Sequence, residues 1–127
     1  MEIITDIDAI PRLQNPVVTV GAFDGIHLGH RQIFEKVKEH SHQIGGVSVA
    51  ITFDPHPQMV LHPNSDFFQI VPLEEKIKLI KEEGIDYLII IHFTKEFSQL
   101  SSERFLKDFI IDKIGAKAIV MGTSPSF

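Results

Sequence analysis

The sequence contains no cysteine. A disulfide framework, a catalytic thiolate and a zinc site with cysteine ligands are therefore excluded. Basic residues are also scarce, since 12 lysines and arginines stand against 17 aspartates and glutamates, for a formal net charge of −5. This balance argues against a dedicated DNA- or RNA-binding protein, which would normally present a basic face. It leaves room for a small nucleotide, which needs only a local anion-binding site.

Long apolar runs are missing as well. The longest, residues 87–91, is far shorter than the roughly 20 residues that a membrane-spanning helix needs. The first residues are acidic and lack the apolar segment of a secretory signal, so we expect a cytoplasmic protein without a membrane partner. With 127 residues, of which 43% are hydrophobic, the chain has the size and composition of one globular domain.

Segments that predict strands alternate with segments that predict helices. Strands are predicted at residues 17–21, 47–53, 86–92 and 117–121, and helices at residues 28–42 and 73–83. A last helix is predicted to begin after a cap at Ser101 or Ser102 and to end at Gly115. Residues 55–72 contain four prolines and predict a long, partly irregular loop, of a length that is more often functional than idle. The alternation predicts an α/β fold in which a doubly wound parallel sheet carries helices on both faces.

Two of the predicted helices have apolar and charged sides. In the last helix we expect Phe105, Leu106, Phe109 and Ile110 to face the core. In the helix before it, the charged run of residues 74–76 predicts a side exposed to solvent.

The run GAFDGIHLGH at residues 21–30 joins the first predicted strand to the first predicted helix. Backbone N–H groups at the start of a helix, together with the helix dipole, form a pocket for anions. His27 and His30 are three positions apart, so both imidazoles can face one ligand there. Two histidine donors aimed at a phosphate would stabilise the charge of a five-coordinate phosphorus.

Two other interpretations of the histidine pair are open. Paired histidines on a helix are often ordinary surface residues. They are also zinc ligands in some proteins, but a zinc site needs at least one further ligand, and none is obvious in the sequence, so we predict no metal site formed by the protein.

The same run resembles the His-x-Gly-His signature of nucleotidylyltransferases. A second block, TFDPHP at residues 52–57, resembles the bacterial bifunctional riboflavin kinase/FMN adenylyltransferase family. The resemblance extends from about residue 15 to residue 127. It implies a Rossmann-like nucleotidylyltransferase fold and transfer of AMP from ATP to the phosphate of FMN, giving FAD and pyrophosphate. It also implies that Mg²⁺ enters on the phosphates of ATP.

The resemblance also implies which residues form each part of the site. His27 and His30 would be catalytic. The ATP-binding residues would be Gly21, Ala22, Phe23, Asp24, Gly25, His27, Gly29 and His30. The FMN-binding residues would be Phe53, Asp54, Pro55, Pro57, Phe105 and Phe127. From the residues alone, Phe105 is better explained as a core residue of the last helix, Phe53 also fits the end of a core strand, and Asp54 also fits a turn.

Several features depart from the family's pattern. Ala22 stands where Asn or Thr is usual, and Ser124 and Pro125 stand in place of an acidic or amide residue and Phe. We expect residues 1–127 to be a nucleotidylyltransferase domain that is incomplete at its C-terminus, without the riboflavin kinase domain of the full-length protein. Two alternatives are a non-catalytic nucleotide- or flavin-binding fragment and a nucleotidylyltransferase for another phosphorylated alcohol.

Overall fold

The structure is a computed structural model that describes residues 1–23, 28–63 and 71–121. Within these residues five strands form one parallel sheet. They are β1 (Glu2–Ile4), β2 (Val17–Val20), β3 (Ser48–Asp54), β4 (Tyr87–His92) and β5 (Ala118–Ile119). Their order across the sheet is β1-β4-β3-β2-β5. From β2 the chain builds outward through β3 and β4, and it then returns to place β5 on the other side of β2.

The helices that connect the strands differ widely in length. They are α1 (Leu28–Gln43), α2 (Pro57–Leu61), α3 (Leu73–Glu82), α4 (Lys95–Ser98) and α5 (Ser102–Arg104), and α5 continues into a π-helical segment at Phe105–Ile114. None of the helices in the described parts of the chain combines the length and apolar character that crossing a membrane requires.

Alternate residues of the strands supply two separate hydrophobic cores, one on each face of the sheet. On the face that carries α1 and α3, the core contains Val17, Ala50, Leu88 and Ile90 of the sheet with Phe34, Val37 and Ile80 of the helices. On the opposite face it contains Val18, Val49, Ile51, Phe53, Ile89 and Ile91 with Phe105, Phe109, Ile110 and Ile114 of the π-helical segment. Helices on both faces of a parallel sheet confirm the predicted doubly wound α/β fold.

Three short elements were not predicted from the sequence. Strand β1 has three residues, two of them exposed, so it carries almost no hydrophobic pattern, and it forms only by pairing with β4 at the edge of the sheet. Helix α2 lies inside the segment predicted as a partly irregular loop. Helix α4 is a single turn whose first N–H groups are capped by Thr94, as the Thr94 side chain accepts a hydrogen bond from the Phe97 N–H at 3.0 Å.

The last predicted helix is present but wound differently. Ser101 caps it by accepting a hydrogen bond from the Arg104 N–H at 3.1 Å, and Gly115 ends it with a φ of 76°. Its buried residues recur every four to five positions, because π-type bonding widens each turn. The prediction that Leu106 faces the core is wrong, since this side chain is 39% exposed.

The prediction of a fully solvated charged side on α3 is also wrong in one position. Glu74 and Glu75 are exposed, but Lys76 is only 3% exposed. Lys76 lies four residues before the fully buried Ile80, and residues four apart share one side of a helix. The Lys76 stem therefore faces the sheet, one turn closer to the start of α3.

Candidate functional site

The strand order reverses between β2 and β5, because β3 and β4 lie on one side of β2 and β5 lies on the other. This place is the topological switch point of the sheet. Residues 21–23 leave the carboxyl end of β2, and Met121, which is 50% exposed, leaves that of β5. In open parallel sheets, ligands bind in the crevice beyond the carboxyl ends of the strands at such a point. We call the side of the sheet where all five strands end the carboxyl edge.

Two hydrogen bonds fix the turn after β2 to the neighbouring strand β3. The Gly21 N–H donates to the Ile51 carbonyl oxygen at 3.0 Å. The Thr52 hydroxyl donates to the Ala22 carbonyl oxygen at 3.2 Å. Gly21 also gives room to the turn, because a Cβ at this position would lie 3.0 Å from the Phe23 ring atom Cε1. The turn is thus held in one position relative to the sheet.

Phe23 connects this turn to the start of α1. Its φ of 51° lies in the left-handed region that non-glycine residues rarely adopt, and its side chain is only 5% exposed. The ring packs against Phe34 with a centroid distance of 5.2 Å and against the His30 imidazole at 5.6 Å, nearly edge-on at 85°. The unusual backbone of Phe23 therefore places an aromatic support against a histidine in the first turn of α1.

The first turn of α1 also carries backbone N–H groups that have no partner within the helix. They point out of the start of the helix, where its dipole favours negative charge. His30, half-buried against Phe23, lies in this turn. The arrangement is chemically suited to binding an anion such as a polyphosphate.

The structure brings four of the predicted ATP-binding residues together. Gly21, Ala22 and Phe23 form the turn, and His30 contacts Phe23. Gly29 lies in the first turn of α1. The remaining three, Asp24, Gly25 and His27, lie outside the described residues, and the ATP-binding role of all eight stays a prediction.

Four of the six predicted FMN-binding residues, Phe53, Asp54, Pro55 and Pro57, lie at and just beyond the end of β3. Asp54 ends the strand and is exposed, and a cis peptide bond joins it to the half-buried Pro55. Pro57 begins α2 and is buried, a common place for proline because its missing N–H would have no partner there. Phe127 lies outside the described residues.

The two described aromatic members of that set, Phe53 and Phe105, are buried in a cluster of phenylalanines. Phe53 is 1% exposed and lies 5.7 Å from Phe93 and 6.4 Å from Phe105, measured between ring centroids. Phe105 is 5% exposed and stacks on Phe109 at 5.5 Å. This burial agrees with the core interpretation of both residues, and their contact with a flavin stays a prediction.

The described phenylalanines of the two predicted binding sets belong to the cores on opposite faces of the sheet. Phe23 belongs to the core on the α1 face, whereas Phe53 and Phe105 belong to the core on the other face. Beside these residues the two faces meet at the carboxyl edge, where Asp54 is exposed. Two ligands approaching from the two sides would meet at this edge.

Sequence reasoning gave little weight to His56 and His92, which the structure places beside the site. His56 is 8% exposed, and its carbonyl oxygen accepts the Met59 N–H at 3.0 Å to start α2. His92 ends β4, directly in register with Asp54 at the end of β3. Register between strands is a tertiary property, so no signal in the sequence could have paired His92 with Asp54.

Comparison with known proteins gives a consistent result. The model of the FAD synthetase family matches residues 9–127. A bifunctional riboflavin kinase/FMN adenylyltransferase of Buchnera aphidicola (from Acyrthosiphon pisum) is 34% identical over 100% of this chain and 41% of its own length. A protein of the same name from Listeria monocytogenes is 35% identical over 76% of this chain and 31% of its own length. The chain thus spans about two fifths or less of these relatives.

A solved structure has the same fold. The crystal structure of a protein named macrolide-efflux protein, from Streptococcus pneumoniae, superposes with a TM-score of 0.84 at 29% sequence identity. The superposition covers 98% of this chain and 48% of that one. The name of that protein concerns efflux, whereas the likeness concerns the fold alone. Since the family model covers nearly the whole sequence, the chain belongs to the FAD synthetase family.

Proposed function

We propose that the chain transfers AMP from ATP to FMN, giving FAD and pyrophosphate. A phosphate oxygen of FMN attacks the α-phosphorus of ATP in line and forms a new P–O bond. The bond from that phosphorus to the bridging oxygen of the β-phosphate breaks, and pyrophosphate leaves with the electron pair. The observation that carries the proposal is the match of residues 9–127 to the FAD synthetase family, in a chain whose turn after β2 lies at the switch point of the sheet.

The nucleotide would bind at the turn of residues 21–23 and the start of α1. There the N–H groups and dipole of α1 favour the polyphosphate, and Mg²⁺ enters as part of MgATP. His30 would donate to a phosphate oxygen, and Phe23 would fix the orientation of its ring. His27 would supply a second donor beside it. Because the reaction needs no covalent enzyme intermediate, positioning and charge stabilisation would provide most of the rate enhancement.

The acceptor would bind over the end of β3. The half-buried Pro55 offers an apolar surface that suits a large, flat ring, and Asp54 offers a carboxylate to polar atoms. The buried Pro57 would hold the start of α2 beneath this surface. Phe53 and Phe105 would support this surface from below, and Phe127 would complete it. From this side the FMN phosphate would reach over the carboxyl edge toward the α-phosphate of ATP.

We further infer that residues 1–127 correspond to the adenylyltransferase part of the bifunctional relatives. No riboflavin kinase activity is assigned to these residues, and a kinase domain is expected in the full-length protein. A cytoplasmic location also remains a prediction.

The function is tested by measuring FAD formation from FMN and MgATP by chromatography, and by titrating each substrate in parallel. His30→Ala is the test variant. His42→Ala is the matched control, because His42 is an exposed residue in the last turn of the same helix. We expect FAD formation by the parent chain and by the control. His30→Ala should lower the rate by about 10²–10³, as loss of one preorganised donor does elsewhere.

The other outcomes favour other functions. Saturable binding of ATP or FMN without FAD formation would support a non-catalytic binding fragment. Adenylyl transfer to a different phosphorylated alcohol, with none to FMN, would support a related transferase. Absence of both binding and turnover would contradict all three functions.

A further inference from the structure

The ends of β3 and β4 bring two polar side chains together at the carboxyl edge. Asp54 and His92 are register partners, and both are the last residues of their strands. Paired residues of neighbouring parallel strands point to the same face of the sheet, and their strands lie about 4.8 Å apart. The carboxylate and the imidazole therefore lie side by side, next to the turn into Pro55.

Both side chains are free to meet a ligand. Asp54 and His92 are exposed, although the residues directly before them in each strand are buried. Among residues 1–23, 28–63 and 71–121, neither side chain takes part in an ion pair or side-chain hydrogen bond. The backbone beneath them is fixed, since the Phe93 N–H donates to the Asp54 carbonyl oxygen at 3.3 Å. The backbone of both residues is thus held in place by the sheet, and both side chains are exposed to solvent.

The chemistry of the pair selects hydroxyl groups. A carboxylate accepts hydrogen bonds from hydroxyls, and a neutral imidazole has one donor and one acceptor nitrogen. A phosphate dianion would be repelled by Asp54. The pair does not belong to a larger cluster of metal ligands, because no group of three or more potential ligands occurs in the described part of the chain. A chain bearing several hydroxyls is the ligand that fits both side chains.

We propose that His92, together with Asp54, binds the polyhydroxylated chain that joins the ring of the acceptor to its phosphate. This inference rests on the proposed function. It makes His92 a specificity-determining residue that distinguishes a flavin phosphate from phosphorylated alcohols with fewer hydroxyls. The phosphate then points away from Asp54 and toward the start of α1, where anions are favoured.

The test compares two acceptors that differ only in these hydroxyls. One is FMN, and the other is a flavin whose ring carries an unsubstituted pentyl chain ending in phosphate. Dissociation constants for both are measured by flavin fluorescence in the parent chain and in His92→Ala, His92→Gln and Asp54→Asn. His42→Ala, another exposed histidine, is the control. Circular dichroism and ATP titration check that each variant keeps its fold and its nucleotide site.

We expect the parent chain to bind FMN about tenfold more tightly than the analogue, the effect of hydrogen bonds of ordinary strength. His92→Ala should bring the two constants within about twofold, and His92→Gln should restore part of the preference, because its amide also donates and accepts. Saturable FMN binding with the same preference in His92→Ala would overturn this inference alone. Absence of FMN binding by the parent chain would overturn both the inference and the proposed function.

Discussion

The hydroxyl of Thr52 donates a hydrogen bond to the carbonyl oxygen of Ala22 at 3.2 Å. Thr52 is fully buried near the end of β3, and Ala22 lies in the turn after β2. The bond thus joins the strand that leads to the predicted acceptor site with the turn that leads to the predicted nucleotide site. A partly buried carbonyl that loses such a partner is not fully compensated by water.

Thr52→Val should therefore destabilise the protein and loosen the turn. The variant keeps the shape of the side chain but removes the donor, so we expect the free energy of unfolding to fall by about 1–3 kcal/mol. Urea unfolding measures this change, and ATP titration should show weaker binding. Thr5→Val is the control, since Thr5 is exposed. Equal unfolding midpoints for the two variants would contradict the role of this hydrogen bond.

Substitution of Phe23 should weaken ATP binding beyond what the accompanying loss of stability explains. Phe23→Leu removes the ring that supports His30, whereas Phe109→Leu removes a comparably buried ring on the other face of the sheet. We expect both to lower the free energy of unfolding by about 1–3 kcal/mol. Only Phe23→Leu should also weaken ATP binding, measured by calorimetry at a temperature where both are folded. Similar ATP affinities in the two variants would argue against a supporting role for Phe23.

The amino ends of β3 and β4 are joined by Ser48 and Asp86. One carboxylate oxygen of Asp86 accepts hydrogen bonds from the Ser48 N–H at 2.9 Å and the Ser48 hydroxyl at 3.1 Å. Asp86→Ala should lower the free energy of unfolding by about 1–2 kcal/mol, because the buried Ser48 loses its acceptor. FAD formation by the folded protein should not change, since this end lies opposite the site. Asp108→Ala, at an exposed carboxylate, is the control for stability.

Adjacent glycines after α1 should respond very differently to the same substitution. A Cβ on Gly46 would lie 1.9 Å from the Asn15 carbonyl oxygen, a clash with backbone that cannot move aside. A Cβ on Gly45 meets nothing within 4 Å, although the φ of 64° is unfavourable for alanine. We expect a loss of about 1–2 kcal/mol for Gly45→Ala and at least about 3 kcal/mol for Gly46→Ala. Thermal unfolding of the two variants compares them directly, and a smaller loss for Gly46→Ala would contradict the close approach.

Where the sequence carried a clear period, it predicted the elements well. Residues 47–53 and 86–92 are rich in apolar and β-branched residues, and they form the buried strands β3 and β4 within one residue of the predicted bounds. Gly115 marked the end of the last helix, and Ser101 is the one of the two candidate caps that the structure selects, because capping depends on local backbone chemistry. Strand β1 was missed because its three residues have no pattern of their own and depend on pairing with β4.

Some features of the candidate site could likewise be predicted from the sequence, and others could not. The glycines and histidines of residues 21–30 indicated an anion site at a strand–helix turn, because a helix start binds anions through its own backbone. The support of His30 by Phe23 was not visible in the sequence, since it depends on a φ of 51° and on packing against α1. The pairing of Asp54 with His92 depends on the register between two strands that are far apart in the chain.

By itself, then, the sequence determined the α/β class, the main strands and helices and the chemical character of the turn after β2. These follow from hydrophobic period, caps and backbone chemistry within a few residues. Only the tertiary structure decided the winding of the π-helical segment, the burial of Lys76 and the placement of Phe23 in one core and of Phe53 and Phe105 in the other. Those features depend on contacts between segments far apart in the chain, whose geometry is set by how the two cores pack.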